Sequence, residues 1–468
     1  MNVSIITIET PTLGDRTYLA HDGHVAVVVD PQRDIDRVLA VADEAGVQIT
    51  HVLETHVHND YVTGGLALAE ATGAVYALNR DDEVGFERLG LRDDDVIDVS
   101  ARTRLRAIAT PGHTFTHLSY ALESREDDGA WAADAVFTGG SLLFGATGRP
   151  DLLGVDHTEV LAHRQHTSVH RLVDGLPDTT AVLPTHGFGS FCSTGSTGSA
   201  TSSTIGRERR TNPAMTQDRV RWVADVLAGL DAYPAYYAHM APANSRGPSA
   251  VDLGAPRPAD RSAVAGRITA GDWVVDLRGR AAFADAHVVG TVNIGLDGQF
   301  STYLGWLVPW GASLTLLGDT AEQVAEAQRE LVRIGIDRID GAATGEPSQW
   351  SDRALGSFRR AAFTDLAAVR RHRHVTVLDV RLAGEFASSH VDGALNLPLH
   401  ELSEHLDDIP AGEVWVHCAS GYRASVAASI LATREIQVVV VDGSFDEQAA
   451  DAGLPLTDGA VETTSHRA

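Results

Sequence analysis

Cys418 opens the segment Cys418-Ala-Ser-Gly421-Tyr-Arg423, between the apolar run Val414-Trp-Val-His417 and an Ala-rich stretch that reads as a helix to about Thr433. A thiol at such a strand-to-helix turn sits among inward-pointing backbone N–H groups at the positive end of a helix. Both favour the thiolate and an anion beside it. Gly421 permits the tight turn, and Arg423 is placed to hold an anionic substrate or to brace the loop. The plain alternative is a packed, inert thiol, and the loop context weighs against it. The second chemical grouping is rich in histidine. Glu54-Thr-His56-Val-His58-Asn-Asp60-Tyr61 follows an apolar strand, and alternation puts His56 and His58 on one side, as convergent metal ligands require. Thr110-Pro-Gly-His113 and Pro184-Thr-His186-Gly each set a further histidine at the end of an apolar strand.

The elements that must position these groups follow from the pattern around them. From Met1 to about Ala243 short Val/Ile-rich strands alternate with helical stretches, which predicts a layered α/β domain. Asp30-Pro31 predicts a helix, with Pro at its first position, running to about Gly46. A strand over Ile49–Glu54 and a helix from about Gly64 bracket the histidine loop. Ser193–Thr204 is a Gly/Ser/Thr tract, read as a surface loop or as a loop that orders over a site. Two stretches are expected as linkers, Asn244 through Pro258 and Ala343–Ser357. The remainder is a duplication. Asp276, Arg278, Phe283, His287, Gly290 and Asn293 recur as Asp379, Arg381, Phe386, His390, Gly393 and Asn396, each pair 103 residues apart. Each copy reads as a small parallel-sheet α/β domain.

Composition narrows the classes of function. The formal net charge is −26, and all 37 basic residues are Arg. A Schiff-base lysine is therefore excluded, and nucleic acid is not an expected partner, because its phosphates would be repelled. The start, MNVSIITIET, lacks the basic-then-apolar layout of a signal peptide, and no apolar run reaches the length of a membrane span. A cytoplasmic location without membrane attachment is the expectation. The two cysteines, Cys192 and Cys418, fall in different domains, and a disulfide between them is not expected in that compartment.

The Cys418 loop, with its lead-in Asp379-Val-Arg381, Glu385-Phe386 and His390-Val-Asp-Gly393-Ala-Leu-Asn396-Leu-Pro398, resembles the rhodanese family of sulfurtransferases. The resemblance implies that Cys418 carries a persulfide, with Gly421 and Arg423 completing the catalytic loop. Cysteine-dependent phosphatases place five residues between Cys and Arg; this chain has four, which suits a sulfur-sized site. The first copy reads Leu314-Thr-Leu-Leu-Gly-Asp319 at the matching strand and has no cysteine, so its expected role is structural or docking.

The histidine set resembles the metallo-β-lactamase fold, within it the persulfide dioxygenase and glyoxalase II branch. Gly148-Arg149-Pro-Asp151, His186-Gly-Phe-Gly-Ser-Phe-Cys192 and Thr204-Ile-Gly-Arg-Glu208 with Asn212-Pro213 add to the likeness. The whole layout is similar to bacterial persulfide dioxygenase–rhodanese fusions. It implies a metallo-β-lactamase-like αββα sandwich over 1–245, a rhodanese-like domain lacking the cysteine over 260–342 and a rhodanese domain over 360–462. Two positions depart from the family. HxHxDH ends here in Tyr61, and the aspartate of V-F-T-G-D is Gly140. A dinuclear hydrolase is rejected on that ground.

What the resemblance implies is one metal at His56, His58 and His113, with Asp60 and His186 as further candidates. Mononuclear Fe(II) is expected, with Zn(II) or no metal as the alternatives. Arg149 is a candidate to bind the carboxylate of a glutathione-like thiol, or else pairs with Asp151. Cys192 either holds a persulfide or packs. His117 is expected at the rim or surface, with an extra metal ligand as the alternative. The implied activity is oxidation of a low-molecular-weight persulfide to sulfite, with Cys418 passing sulfane sulfur to sulfite as thiosulfate. The rivals are a zinc-dependent thiolester hydrolase and a metal-free scaffold whose only activity is the C-terminal sulfurtransferase. A homodimer is compatible with such folds.

Overall fold

The structure is a computed structural model of the full chain, and the residues it describes are 3–194 and 200–459. They fall into two compact units: Met1–Asp252 with Arg329–Asp337, and Leu253–Gln328 with Arg338–Ala468. The second unit holds the repeated residues of both copies, while 329–337, within the span expected for the first rhodanese-like domain, group with the first unit. No helix among the described residues is long and apolar enough to cross a membrane.

The first unit stacks two six-stranded sheets. One runs in the order Ser4–Thr10, Asp15–His21, Val25–Val29, Gln48–Leu53, Val75–Asn79, Leu89–Leu91. The other runs Ser203–Thr204, Ala181–Pro184, Trp131–Gly139, Leu118–Arg125, Thr103–Ala109, Val96–Asp98. Alternating side chains explain the layering, because each strand turns one face to its partner sheet and the other to a helix. Tyr18, Val27, Val29, Leu53, Leu105, Leu122 and Phe137 fill the space between the sheets. Val28 and Val52 point the other way, onto Val38 and Leu68 of the helices Asp36–Ala45 and Gly65–Thr72. Val136 and Val182 pack on Val169, Leu172 and Trp222 of the helices Val155–Gly175 and Arg219–Ala228. The result is the expected αββα sandwich, with its loops at the strand ends free to carry chemistry.

Three local expectations are corrected. The first helix starts at Asp36, not at Pro31. Asp30 adopts φ +52, its carboxylate accepts from the N–H and hydroxyl of Thr55, and Gln32 bridges to Thr63, so this stretch is recruited by the histidine loop. Asn244 is not linker; it lies buried in the helix Tyr237–Arg246. The stretch 343–357 contains the end of the strand Ile339–Thr344 and the turn of helix Pro347–Trp350, which buries Trp350. In the Gly/Ser/Thr tract, residues 195–199 lie outside the described residues, and Ser203–Thr204 pairs with Ala181 and Val182.

In the second unit the first copy forms a four-stranded parallel sheet in the order Val292–Asn293, Trp273–Asp276, Leu314–Gly318, Ile339–Thr344. The second forms a five-stranded parallel sheet, Arg359–Ala361, Val438–Val441, Val414–His417, Thr376–Asp379, Leu395–Asn396. The repeated residues make the same bonds in both. Arg278 and Arg381 each donate to the aspartate two residues earlier, at 2.7 and 2.6 Å. His287 and His390 stack on Phe283 and Phe386 and donate to those residues' carbonyls at 2.8 Å. Asn293 and Asn396 bridge the carbonyls of Asp276 and Arg278, or of Asp379 and Arg381. The repeated motif is thus a device for joining strand to loop, and the chemistry lies elsewhere.

Candidate functional site

The histidine cluster is assembled from loops at the strand ends of both sheets. His56, His58, His113, His117 and His186 are all buried. The His56 and His186 rings each lie with centroids 4.1–5.5 Å from those of His58 and His113 and from each other. Their hydrogen bonds assign the tautomers. Thr55 gives its hydroxyl proton to Asp30, so its oxygen accepts from His56 Nδ1 at 2.9 Å. His58 Nε2 faces Tyr61, Glu54 and Asp30 at 3.0, 3.2 and 3.3 Å, which places its proton there. His113 Nδ1 donates to the Arg149 carbonyl at 2.9 Å. His186 Nδ1 donates to Asp15 at 2.9 Å and lies 3.0 Å from an Asp60 carboxylate oxygen. In the neutral form of each ring, the form that binds a metal, the second nitrogen is a lone pair, and neither His58 Nδ1 nor His113 Nε2 has a hydrogen-bond partner.

Lone pairs turned on one another in a buried space cost free energy unless a cation sits among them. The Nε2 atoms of His56 and His186 are 3.4 Å apart. That is the separation of two nitrogens each about 2.1 Å from one ion at a near-tetrahedral angle. Donor atoms of His56, His58 and His186 lie within 4.8 Å of one another, as do those of Asp15, Asp60 and His186, and those of His113, His186 and Cys192. His186, a further candidate in the sequence, is therefore the shared corner, and His113 joins through it. The donor set of imidazoles and carboxylate suits a divalent transition metal.

The electrostatics follow from burial. Although burial penalises its charge, Asp30 is held below the usual carboxylate range by His58, Thr185 and the Thr55 N–H. His58 loses hydration too, yet Asp30 and Glu54 raise it to about 9. Glu54 is pushed up to about 7, chiefly by burial. His113 falls to about 3, through burial and then the neighbouring His186. Burial and the charge of Asp60 push Asp15 up to about 7.

Both departures from the family pattern have structural partners. Tyr61 is buried, stacks on His58 and shares its Nε2 proton. At Gly140 an added Cβ would lie 2.3 Å from His113 Cδ2, so the His113 ring occupies the volume a side chain there would need. His117 is not at the surface. It donates through Nδ1 to Thr110, and its Nε2 accepts the Gly140 N–H at 3.1 Å, so both nitrogens are used.

Arg149 is not free to meet a substrate. It pairs with Asp151 through two bonds of 2.7 Å and donates to the carbonyls of Asp231 and Phe191. Cys192 is buried, its Sγ 3.8 Å from the Tyr237 hydroxyl. Asn244 escaped the sequence reading. Its side chain donates to the carbonyls of His58 and Tyr61 and accepts from Thr63 N–H, fixing the histidine loop. No signal marks it, because its partners are more than 180 residues away.

Cys418 ends the strand Val414–His417, and Gly421, at φ +93, caps the helix Tyr422–Ala432. The N–H groups of Gly421 and Ala424 point at Sγ, at 3.1 and 3.4 Å. The positive φ favours glycine at 421, and an added Cβ there would press on the Asp442 carboxylate at 2.2 Å. Arg423 is held by Glu385 in a two-bond fork of 2.6 and 2.7 Å. This bracing is one of its two expected roles. A slot with about 10 Å³ of free space, enough for one water, lies beside Arg423, lined by Tyr303, Trp306 and Leu307 of the first copy and Leu382, Leu399 and His400 of the second. In the first copy the matching strand passes into the next helix through Asp319 and Thr320, with Gln323 accepting the Asp319 N–H.

Comparison with known proteins agrees with this geometry. Residues 15–194 match the profile of the metallo-beta-lactamase superfamily and residues 363–451 that of the rhodanese-like domain. A hydroxyacylglutathione hydrolase of Synechococcus sp. is 30% identical over 232 residues, 45% of this chain and 88% of that protein. The mitochondrial persulfide dioxygenase ETHE1 of Homo sapiens is 28% identical over 209 residues, 44% of this chain and 71% of that protein. The crystal structure of a metallo-beta-lactamase from Staphylococcus aureus subsp. aureus COL superposes with a TM-score of 0.64 at 28% identity, covering 74% of this chain and 99% of that one. Of two other relatives, a hydroxyacylglutathione hydrolase of Polaromonas sp. and a hydroxyacylglutathione hydrolase-like protein of Mus musculus, the chain spans 57% and 61% of the length.

Proposed function

The chain belongs to the metallo-beta-lactamase superfamily and carries a C-terminal rhodanese-like domain, and on that premise we propose that it oxidises a low-molecular-weight thiol persulfide and transfers sulfane sulfur through Cys418. The observation that carries the reading is the pairing, in one chain, of a buried imidazole cluster with a thiol cradled by backbone N–H groups. His56, His58, His113 and His186, with Asp60 beside them, are the residues that would hold the metal. Bound there, Fe(II) would supply the one-electron chemistry that allows O2 to react with a closed-shell sulfur.

The overall conversion balances as persulfide, O2 and water giving thiol, sulfite and two protons. The protein's own groups orient the ligands and handle charge. Asp15 and Asp60 fix the His186 ring, while Asp30 and Glu54 fix that of His58. In the second step the Cys418 thiolate takes the outer sulfur of a second persulfide molecule, whose thiol leaves; that sulfur then bonds to sulfite, its bond to Sγ breaks, and thiosulfate leaves with Cys418 as thiolate. The Gly421 and Ala424 N–H groups stabilise that leaving thiolate. The substrates proposed are a glutathione-like persulfide and sulfite.

A hydrolytic reading has one observation in its favour, the coverage of the Synechococcus hydroxyacylglutathione hydrolase. Against it stand Tyr61 and Gly140, which leave two positions of the dinuclear pattern without a ligand. Product analysis separates the readings. In air, protein supplied with glutathione persulfide should yield thiosulfate, Cys418→Ser should stop at sulfite, and neither should form under argon. Thiosulfate at the wild-type rate from Cys418→Ser would overturn the sulfur-transfer role, and unchanged turnover of a thiolester under argon would favour the hydrolase.

A further inference from the structure

The aspartate missing at position 140 has not simply been lost, because its space is filled. An added Cβ there meets His113 Cδ2 at 2.3 Å and Cγ at 2.7 Å, and one on Gly148 would meet His113 Nδ1 at 2.8 Å. Side chains at either position would crowd the ring, whose Nε2 is buried and without a partner. A sulfur lies in the same donor group as this ring. Donor atoms of His113, His186 and Cys192 lie within 4.8 Å of one another.

One residue's backbone clamps both His113 and Cys192. The Arg149 carbonyl accepts from His113 Nδ1 at 2.9 Å, and the Arg149 N–H donates to the Cys192 carbonyl at 2.8 Å. The Arg149 side chain adds a bond to the carbonyl of Phe191, the residue before Cys192. Cys192 N–H donates to Ser190 Oγ at 3.1 Å. Ordinary core packing does not require a thiol and an unpartnered imidazole nitrogen to be fixed together by a buried, fully engaged arginine.

We propose that Cys192 is a metal ligand, its thiolate joining His113 and His186 and taking over the charge of the carboxylate that position 140 no longer supplies. Thiolate for carboxylate keeps one negative donor at the centre while making it softer, which favours Zn(II), Fe(II) and Co(II) over Mg(II) or Ca(II). On binding, the Cys192 S–H proton is released to solvent and a sulfur–metal bond forms, with no change of oxidation state. Arg149 then acts as a positioning residue for two ligands. The inference rests on the reading that the histidine cluster holds a metal, and it is independent of which reaction the metal serves.

Cobalt tests it, because a thiolate bound to Co(II) absorbs in the near ultraviolet whereas imidazole and carboxylate ligands give only the weaker visible bands. Metal-free full-length protein is titrated with Co(II) without oxygen. The wild type should show both sets of bands, and so should Cys418→Ser, in which Cys192 is the sole thiol. Cys192→Ser should keep the visible bands, lose the near-ultraviolet one and bind cobalt about tenfold or more weakly. Visible bands without the thiolate band in wild type and Cys418→Ser would overturn the Cys192 assignment while leaving the cluster standing. A thiolate band retained in Cys192→Ser would also overturn it. No cobalt spectrum from folded wild type would overturn the metal site itself. Should Cys192→Ser fail to fold, the Cys418→Ser spectrum still decides the question.

Discussion

Gly140→Ala adds one methyl group, and the structure says where it goes. The new carbon would lie 2.3 Å from His113 Cδ2 and 2.8 Å from its Nε2. His113 cannot retreat freely, since its Nδ1 is bonded to the Arg149 carbonyl. Relief requires the ring to swing and that bond to break. Overpacking of this kind costs about 2 kcal/mol, and the lost hydrogen bond about 1 kcal/mol more. Together they predict about 3 kcal/mol, or a fall in melting temperature of roughly 9 °C for a domain of this size. Scanning calorimetry of the full chain reads the shift, and elemental analysis of the same sample should show metal content falling with it. Gly140→Asp should do at least as much harm, because the carboxylate it restores has no room. Gly140→Ala melting within about 2 °C of wild type with metal retained would refute the claim that His113 fills this space.

Glu385→Gln releases the fork on Arg423; the freed guanidinium should lower KM for thiosulfate in a sulfur-transfer assay by about tenfold, equivalent to about 1.4 kcal/mol, and an unchanged KM would mean the donor never meets Arg423. Asp82 is buried and accepts from Thr116 at 2.5 Å, and burial raises its carboxyl from the ordinary 3.8 to about 6. The folded form therefore binds its proton more tightly than the unfolded one, so stability falls as pH rises through that window and the penalty is complete above it. Asp82→Asn should stabilise by about 2 kcal/mol at pH values well above 6 and by nothing near pH 4 or below. Urea unfolding at the two pH values checks this, and an equal effect at both would count against it.

The cysteine loop was legible because its parts are contiguous. Strand, Cys418, Gly421 and helix are consecutive, and the backbone that cradles Sγ comes from the same short segment. The histidines were legible singly, each at the end of an apolar strand, and both six-stranded sheets place them as that pattern implied. What the pattern could not supply is how rings share space. That His113 fills the volume beside Gly140 and that His117 spends one nitrogen on the Gly140 N–H are properties of close packing between separate segments, while the Tyr61–His58 bond depends on how the short loop folds. Arg149 read equally as substrate clamp or structural arginine, and the carbonyls that engage it belong to residues far along the chain. Pro31 misled because local propensity yielded to tertiary need; Asp30 is held in a left-handed turn to reach Thr55. The duplicated His287 and His390 are visible as repeats, but their common role in joining strand to loop emerges only from the matching bonds.

The central claim is that the converging imidazole lone pairs exist to hold a metal. Elemental mass spectrometry of the full chain, produced with iron and zinc both available, tests it most directly. Close to one iron per chain is expected, lost on replacement of His113 with alanine. Well-folded protein with no bound metal would contradict it, and would leave Cys418 as the only catalytic group.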